Sequence, residues 1–382
     1  MARHYLDHAS TTPLRPEARL AMAEWADLGV TADPGRVHTE GRMVRATLED
    51  ARDRVAALFG VRPRQVVLTS GGTEAVNSAV WGVLAGAPGA PVACAAVEHS
   101  AVREASARHG TIVEIGVDGL GRITGAAVDE AFARSAAVHG RAPALVHCQV
   151  ANHEVGTLQE VTDVVARCRG AGIPVHVDAV AAAGHVPLDL ESLGADLVSV
   201  SSHKLGGPAG VGALVVRRGL RIDPLLVGGE QERGRRAGLE DVAGAVGFGA
   251  AAAALAGPGR LATEEAAALE ATGRLLGAAL AVDGVLPYGD VAGRVPHIVC
   301  LGVTGVEAEP VVLGLDQAGV AVHSGSSCSS ESLEPSPVLQ AMGADGERSL
   351  RLSVGWSTTD ADIEAFIDAF AGVVARLRGL RG

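Results

Sequence analysis

Lys204 stands out by chemical type: it is the only lysine among 32 lysine and arginine residues. Arginine serves wherever a basic side chain is a solvated charge, but its guanidinium stays protonated. A lysine amine loses its proton and condenses with a carbonyl carbon. Lys204 ends the run Ser201-Ser202-His203-Lys204, which gathers two hydroxyls, an imidazole and that amine; a solitary surface lysine is the competing reading. Ser70-Gly71-Gly72-Thr73-Glu74 lies between an apolar run and a helix-like one, where unpaired amides and the helix dipole favour an anion such as phosphate. Two glycines there suit a tight turn equally well. Asp178 closes the apolar run Val175-His176-Val177-Asp178, and a carboxylate in that place needs a cationic partner, either a protonated pyridine nitrogen or an arginine. His99, between a strand and a helix, suits stacking on a flat ring or capping of the helix.

Two further residues sit near the other end of the chain. Cys328 lies in His323-Ser324-Gly325-Ser326-Ser327-Cys328-Ser329-Ser330, a small polar run in which a thiol is accessible enough to be a nucleophile, or is exposed and inert. Arg351, inside Leu350–Leu352, must find a partner if that strand is buried, and a bidentate carboxylate would suit it. The other cysteines, Cys94, Cys148, Cys168 and Cys300, occur in apolar stretches and read as core residues.

The elements that must position these groups alternate. Strands are expected at 65–69, 91–95, 111–115, 144–148, 174–177, 197–201 and 212–216, with helices at 73–84, 99–108, 128–137 and 161–169 between them. Strands that are apolar throughout, joined by helical crossovers, imply a mainly parallel seven-stranded sheet covered on both faces, with ligands at the carboxyl ends of its strands. An Ala-rich helical stretch over 243–280 is interrupted by Gly257-Pro258-Gly259, a hinge. A smaller domain follows it, with strands at 296–301 and 350–353 and a closing helix over 360–380.

Composition bounds what this assembly does. At 382 residues with 48% hydrophobic and 20% charged side chains, the chain is long and apolar enough for two or so globular domains. A formal charge of −12 leaves no basic field to hold a phosphodiester chain, so direct nucleic-acid binding is not expected. No apolar run reaches the length of a membrane span, and charges in 1–19 do not suit a signal peptide. Five cysteines without a C-x-x-C pair argue against disulfides and a cysteine-based zinc site, and a cytoplasmic protein is expected.

From end to end the chain resembles the cysteine desulfurases of the class V aminotransferase group, in their longer-loop, NifS/IscS-like branch. The matching stretches are Tyr5-Leu6-Asp7-His8-Ala9-Ser10-Thr11-Thr12-Pro13, Gly71 to Ala75, Glu98-His99, His153-Glu154-Val155-Gly156, His176 to Ala179, Ser201 to Lys204, Gln231-Glu232-Arg233-Gly234, Ser324 to Cys328 and Arg351. The resemblance implies a homodimeric fold-type I α/β enzyme dependent on pyridoxal 5′-phosphate (PLP). A large PLP-binding domain would span 14–258, and 1–13 with 259–382 would form a smaller α+β domain carrying the Cys328 loop and Arg351. Lys204 would hold PLP covalently as a Schiff base, Asp178 would pair with its ring nitrogen and His99 would stack on its ring. Thr73, Ser201 and His203 would bind its phosphate. Arg351 would take the α-carboxylate of L-cysteine, and Cys328 would accept its sulfur as a persulfide for relay to an acceptor protein, leaving L-alanine.

The departures from the family pattern fall around the cofactor. His153 stands where an asparagine usually bonds the PLP phenolate oxygen, and Ala181 stands where a glutamine makes a second bond to it. Leu239 replaces the threonine that reaches the neighbouring subunit's phosphate, and Asp33 replaces a common asparagine. An imidazole at 153 can still donate, but nothing apolar can. At about 1 to 1.5 kcal/mol per lost hydrogen bond, the losses at 181 and 239 would weaken cofactor retention roughly tenfold to a hundredfold. They leave open a PLP lyase acting on selenocysteine or another cysteine-like amino acid, and a non-catalytic scaffold derived from such an enzyme.

Overall fold

A computed structural model describes residues 3–325 and 336–380. The chain enters through a short strand, β1 (His4–Tyr5), and two helices, α1 (Pro16–Asp27) and α2 (Thr39–Leu58). Strand–helix units follow: β2 (Val66–Thr69), α3 (Gly72–Leu84), β3 (Pro91–Ala95), α4 (Ser100–His109), β4 (Thr111–Ile115) and α5 (Gly125–His139). They continue with β5 (Leu145–Gln149), α6 (Val161–Ala171), β6 (Val175–Asp178), α7 (Leu190–Leu193), β7 (Leu197–Ser201) and β8 (Gly212–Val216). The seven strands β2 to β8 form one sheet in the order β2-β8-β7-β6-β5-β3-β4. Only β8 is antiparallel to its neighbours, so the other six share one direction. The expected mainly parallel sheet is therefore present, and its physical basis is visible in burial. Every residue of β3, β5, β7 and β8 is buried, whereas edge strand β4 alternates.

Two strands sit one residue later than their apolar runs suggest. Pro174 has no amide to give to a ladder, so β6 starts at Val175 and ends on Asp178, and β5 ends on Gln149. The shift sets Gln149 opposite Asp178 in the β5–β6 register, two polar groups side by side at the sheet's rim.

After a short turn, α8 (Gln231–Gly234), come α9 (Val242–Ala256) and α10 (Arg260–Leu280), which meet at 82° across Gly257-Pro258-Gly259. Helix α9 is rich in Ala and Gly because α2 lies close against it: a Cβ on Gly249 would come within 2.8 Å of the Ala51 Cα. No single helix among the described residues is long and apolar enough to cross a membrane.

The last third holds β9 (Val285–Tyr288), β10 (Ile298–Val303), α11 (Ala308–Gln317), β11 (Val320–Ala321), β12 (His323–Ser324), α12 (Pro337–Ala341), β13 (Ser349–Ser353) and α13 (Asp360–Gly379). Its antiparallel sheet runs β12-β13-β10-β9, and β1 pairs with β11, which ties the N-terminus to this part of the molecule. Leu6, Leu275, Leu301, Leu352, Phe366 and Phe370 build a core here, separate from the cluster around the large sheet. Cys94, Cys148, Cys168 and Cys300 are all buried and unpaired, as their apolar surroundings led us to expect.

Candidate active site

Six co-directional strands open their carboxyl ends on one edge, and the turns beyond β2, β3, β5, β6 and β7 each bring a chemically notable residue there. Thr73, His99, Asp178, His203, Lys204 and Arg351 line one cavity of about 300 Å³, which His153, Ser201 and Ala181 also face. Cys328 lies outside the described residues.

At the end of β2 the chain turns into α3 through Gly71, whose φ of +154° and ψ of −176° fall in a region essentially reserved for glycine. Gly72 and Thr73 of its first turn line the cavity, which sets the amino end of the helix at the rim. The turn fits because Gly212 of β8 has no side chain: a Cβ there would lie 2.7 Å from the Gly71 carbonyl carbon and 2.8 Å from the Val200 oxygen. Replacing Gly212 with valine is therefore expected to cost about 1–3 kcal/mol in stability and to displace the turn, measurable as a lower Tm and weaker retention of phosphorylated ligand. Glu74, in the same first turn, accepts from the Ser70 amide at 2.7 Å and from Arg236 Nε at 2.9 Å. Burial works to raise its carboxyl, but Arg236 and Ser70 prevail and hold it below the usual value, so its charge is matched beside an anion-binding end.

Asp178 directs Oδ1 to the Ser199 hydroxyl at 3.1 Å and the Val180 amide at 2.9 Å, while Oδ2 takes no hydrogen bond among the described residues. No arginine among the described residues bonds to it, which leaves a cation in the cavity as the group that would match it. Glu98 is buried nearby, close enough to feel the Asp178 charge. Burial and then the Asp178 charge push its carboxyl well up, against a smaller lowering by the Gln149 backbone.

His99 does cap α4: its Nδ1 accepts from the Ala101 amide at 3.1 Å, so the neutral ring carries its proton on Nε2. Burial holds His99 below the ordinary imidazole value, and its ring meets that of His153 edge-to-face at 4.9 Å. His153 is held well below that value too, by burial and then by His99. Lys204, in the 3-10 turn beyond β7, donates from Nζ to the backbone oxygens of Ala9 and Ser10, the latter at 3.0 Å. His203 lies 3.1 Å from the Thr11 hydroxyl, so the segment after β1 covers this turn. Arg351, 1% exposed on β13, donates from Nη1 to the His153 carbonyl and from Nη2 to Asp7 and Ser10. Leu239 is 64% exposed, and among the described residues Ala181 offers this cavity only a methyl group.

Neutral imidazoles are a general feature of the interior. His147 and His176 meet Nδ1 to Nδ1 at 2.9 Å across β5 and β6, which requires one donor and one acceptor. Burial lowers His8, His176, His185 and His203 from 6.5 to about 4. Between those values the unfolded chain binds more protons than the folded one, so these groups remove stability as pH falls from 6.5 towards 4 and contribute no pH dependence above 6.5. The urea midpoint is expected to be lower at about pH 5 than at pH 7.5.

The residues given a binding or catalytic role in the sequence converge on this cavity, apart from Cys328, whereas Leu239 and Asp33 do not line it. Gln149, Glu98, Asp7 and Ser10 were not singled out for a role. Gln149 was detectable as a polar residue ending an apolar strand; Asp7 and Ser10 carry no local signal, because their partner is more than 340 residues away.

Comparison with known proteins gives this arrangement a family. The profile described as aminotransferase class-V matches residues 4–366. A cysteine desulfurase of Trichormus azollae is 37% identical, the match covering 98% of this chain and 94% of that one. An IscS-like cysteine desulfurase of Mycobacterium tuberculosis is likewise 37% identical, over 98% and 97%. The NifS-like protein of Rickettsia africae superposes with a TM-score of 0.87 at 26% identity, covering 98% of this chain and 99% of its own. With a family profile that spans nearly its whole length and relatives alike from end to end, the chain belongs to the class-V aminotransferase family.

Proposed function

We propose that the chain is a PLP-dependent L-cysteine desulfurase, which converts L-cysteine to L-alanine and passes the sulfur, through a persulfide on Cys328, to an acceptor protein. The observation that carries the reading is one cavity holding the only lysine of the chain, a carboxylate oxygen with no bond among the described residues and the amino end of α3.

These residues fit the cofactor. Asp178 Oδ2 is the acceptor that a protonated pyridine nitrogen needs. The first turn of α3 with Thr73, Ser201 and His203 suits a phosphate, Lys204 the aldehyde, the His99 ring a flat face, and a His153 N–H the phenolate oxygen. When bound, PLP supplies an electron sink for the bonds at the substrate's Cα.

The chain's own groups do the rest. Arg351 holds the substrate carboxylate. Lys204 Nζ, the one lysine amine of the chain, would hold and move the Cα proton. The Cys328 thiolate attacks the substrate sulfur: the new S–S bond forms as the carbon–sulfur bond breaks, its electron pair stays with the carbon fragment that becomes alanine, and the sulfur leaves on Cys328. The working unit is a cytoplasmic homodimer, and exposed Leu226, Val227 and Leu239 offer apolar surface for a second copy. Its large domain spans 14–258, and 1–13 with 259–382 form the smaller one.

The test is stoichiometric. Purified protein loaded with PLP is expected to release one alanine per sulfur transferred from L-cysteine. Absence of a visible Schiff-base absorbance after incubation with PLP, or alanine release without sulfur transfer, overturns the reading.

A further inference from the structure

Arg351 is already occupied by the chain itself. A guanidinium presents two faces that can take a carboxylate through two hydrogen bonds: end-on, through Nη1 and Nη2, and side-on, through Nε and Nη2. Both use Nη2, and Nη2 already donates to Asp7 Oδ1 at 3.0 Å and to Ser10 Oγ at 2.7 Å. The Ser10 hydroxyl donates in turn to Asp7 Oδ1 at 2.9 Å, which closes a three-membered ring of hydrogen bonds. Nη1 holds the His153 carbonyl at 2.9 Å, and Nε is buried with no partner among the described residues. No two-point site for an incoming carboxylate is open on Arg351 while this ring stands.

The segment that closes the ring is anchored at one end and engaged at the other. Leu6 bonds Ala321 at 2.9 Å and accepts from the Ser353 amide at 2.8 Å, and the Ala9 amide donates to Ser353 Oγ at 2.8 Å. The carbonyls of Ala9 and Ser10 accept from Lys204 Nζ. Residues 7–10 therefore contact both cations of the site, and a ligand that pushes Ser10 off Arg351 also disturbs the acceptors of Lys204.

We infer that Asp7 is an internal carboxylate standing in the substrate's place on Arg351, so that a ligand binds by exchanging its own α-carboxylate for that of Asp7. The inference rests on the proposed role of Arg351. Its consequence is selectivity: a ligand with a carboxylate replaces one anion by another on the buried guanidinium, whereas an amine without one leaves Asp7 where it is. Asp7 also lowers the affinity for every carboxylate ligand by competing with it.

The experiment titrates the visible spectrum of the PLP-loaded protein with L-alanine, and in parallel with ethylamine, which lacks the carboxylate. Asp7→Asn removes the competing charge and keeps an acceptor oxygen. It is expected to lower the Kd for L-alanine roughly tenfold and leave that for ethylamine unchanged, while Asp7→Glu retains wild-type values. Ser10→Ala, a milder change that keeps the test decisive should Asp7→Asn not fold, is expected to tighten L-alanine about threefold. Weaker L-alanine binding in Asp7→Asn, or an equal change for both ligands, overturns the inference and makes Asp7 a support that orients Arg351. Arg351→Gln separates the two readings. If it leaves L-alanine binding intact, the role of Arg351 itself is wrong; if it weakens binding while Asp7→Asn fails to tighten it, only the competition is wrong.

Discussion

Replacing Lys204 with alanine is expected to give a folded protein that neither retains PLP through dialysis nor releases alanine from L-cysteine, with activity lower by at least about 10³-fold. The magnitude follows from composition. In most chains a second lysine near the cavity can form an adventitious Schiff base; here no other lysine exists, and every remaining basic side chain is arginine or histidine. Folding should survive, because the Nζ hydrogen bonds to the Ala9 and Ser10 carbonyls are worth about 1–2 kcal/mol together. Lys204→Arg sharpens the test by keeping a cation and donors in place, and it should be equally inactive, since a guanidinium does not give up its proton. Borohydride reduction followed by peptide mass mapping should place the pyridoxyl group on the Lys204 peptide in the parent and nowhere in either variant. A pyridoxyl group elsewhere, or none in the parent, sinks the assignment.

How much of this was legible in the sequence depends on how local each signal is. Lys204, Thr73 and Asp178 sit at strand ends that hydrophobic patterning locates within one residue, and shared strand direction does the rest by bringing all the carboxyl ends to one edge. His99 left two readings, and the capping bond to Ala101 is now plain, because only coordinates show which nitrogen faces the amide. The need of Arg351 for a partner was readable from its apolar neighbours, but its identity was not. Asp7 meets it through the pairing of β1 with β11 and of Leu6 with Ser353, contacts between chain ends whose register no local pattern encodes. The same holds for Glu98: the sequence shows a carboxylate beside a histidine, and burial, which only the fold supplies, is what pushes its carboxyl up.

Cys328→Ser is expected to separate cofactor chemistry from sulfur transfer. Substrate should still perturb the visible spectrum, and L-alanine should bind with its parental Kd, but persulfide formation should fall by at least about 10³-fold, because a serine hydroxyl does not ionise near neutral pH and does not take a sulfur atom. The strength of this prediction comes from the other four thiols. Cys94 and Cys148 are fully buried, and burial pushes them well above their ordinary value; burial takes Cys168 and Cys300 up to about 12. A thiol at about 12 is ionised in only about one molecule in 10⁵ at pH 7, and each of these lies in an apolar interior away from solvent. None can stand in for Cys328, so the variant should carry no persulfide at all after incubation with L-cysteine, whereas mass spectrometry of the parent should place the extra sulfur on the Cys328 peptide alone. Sulfur found on any of the four buried cysteines, or undiminished transfer by Cys328→Ser, would leave a PLP lyase that expels sulfur without a protein thiol as the better account of this cavity.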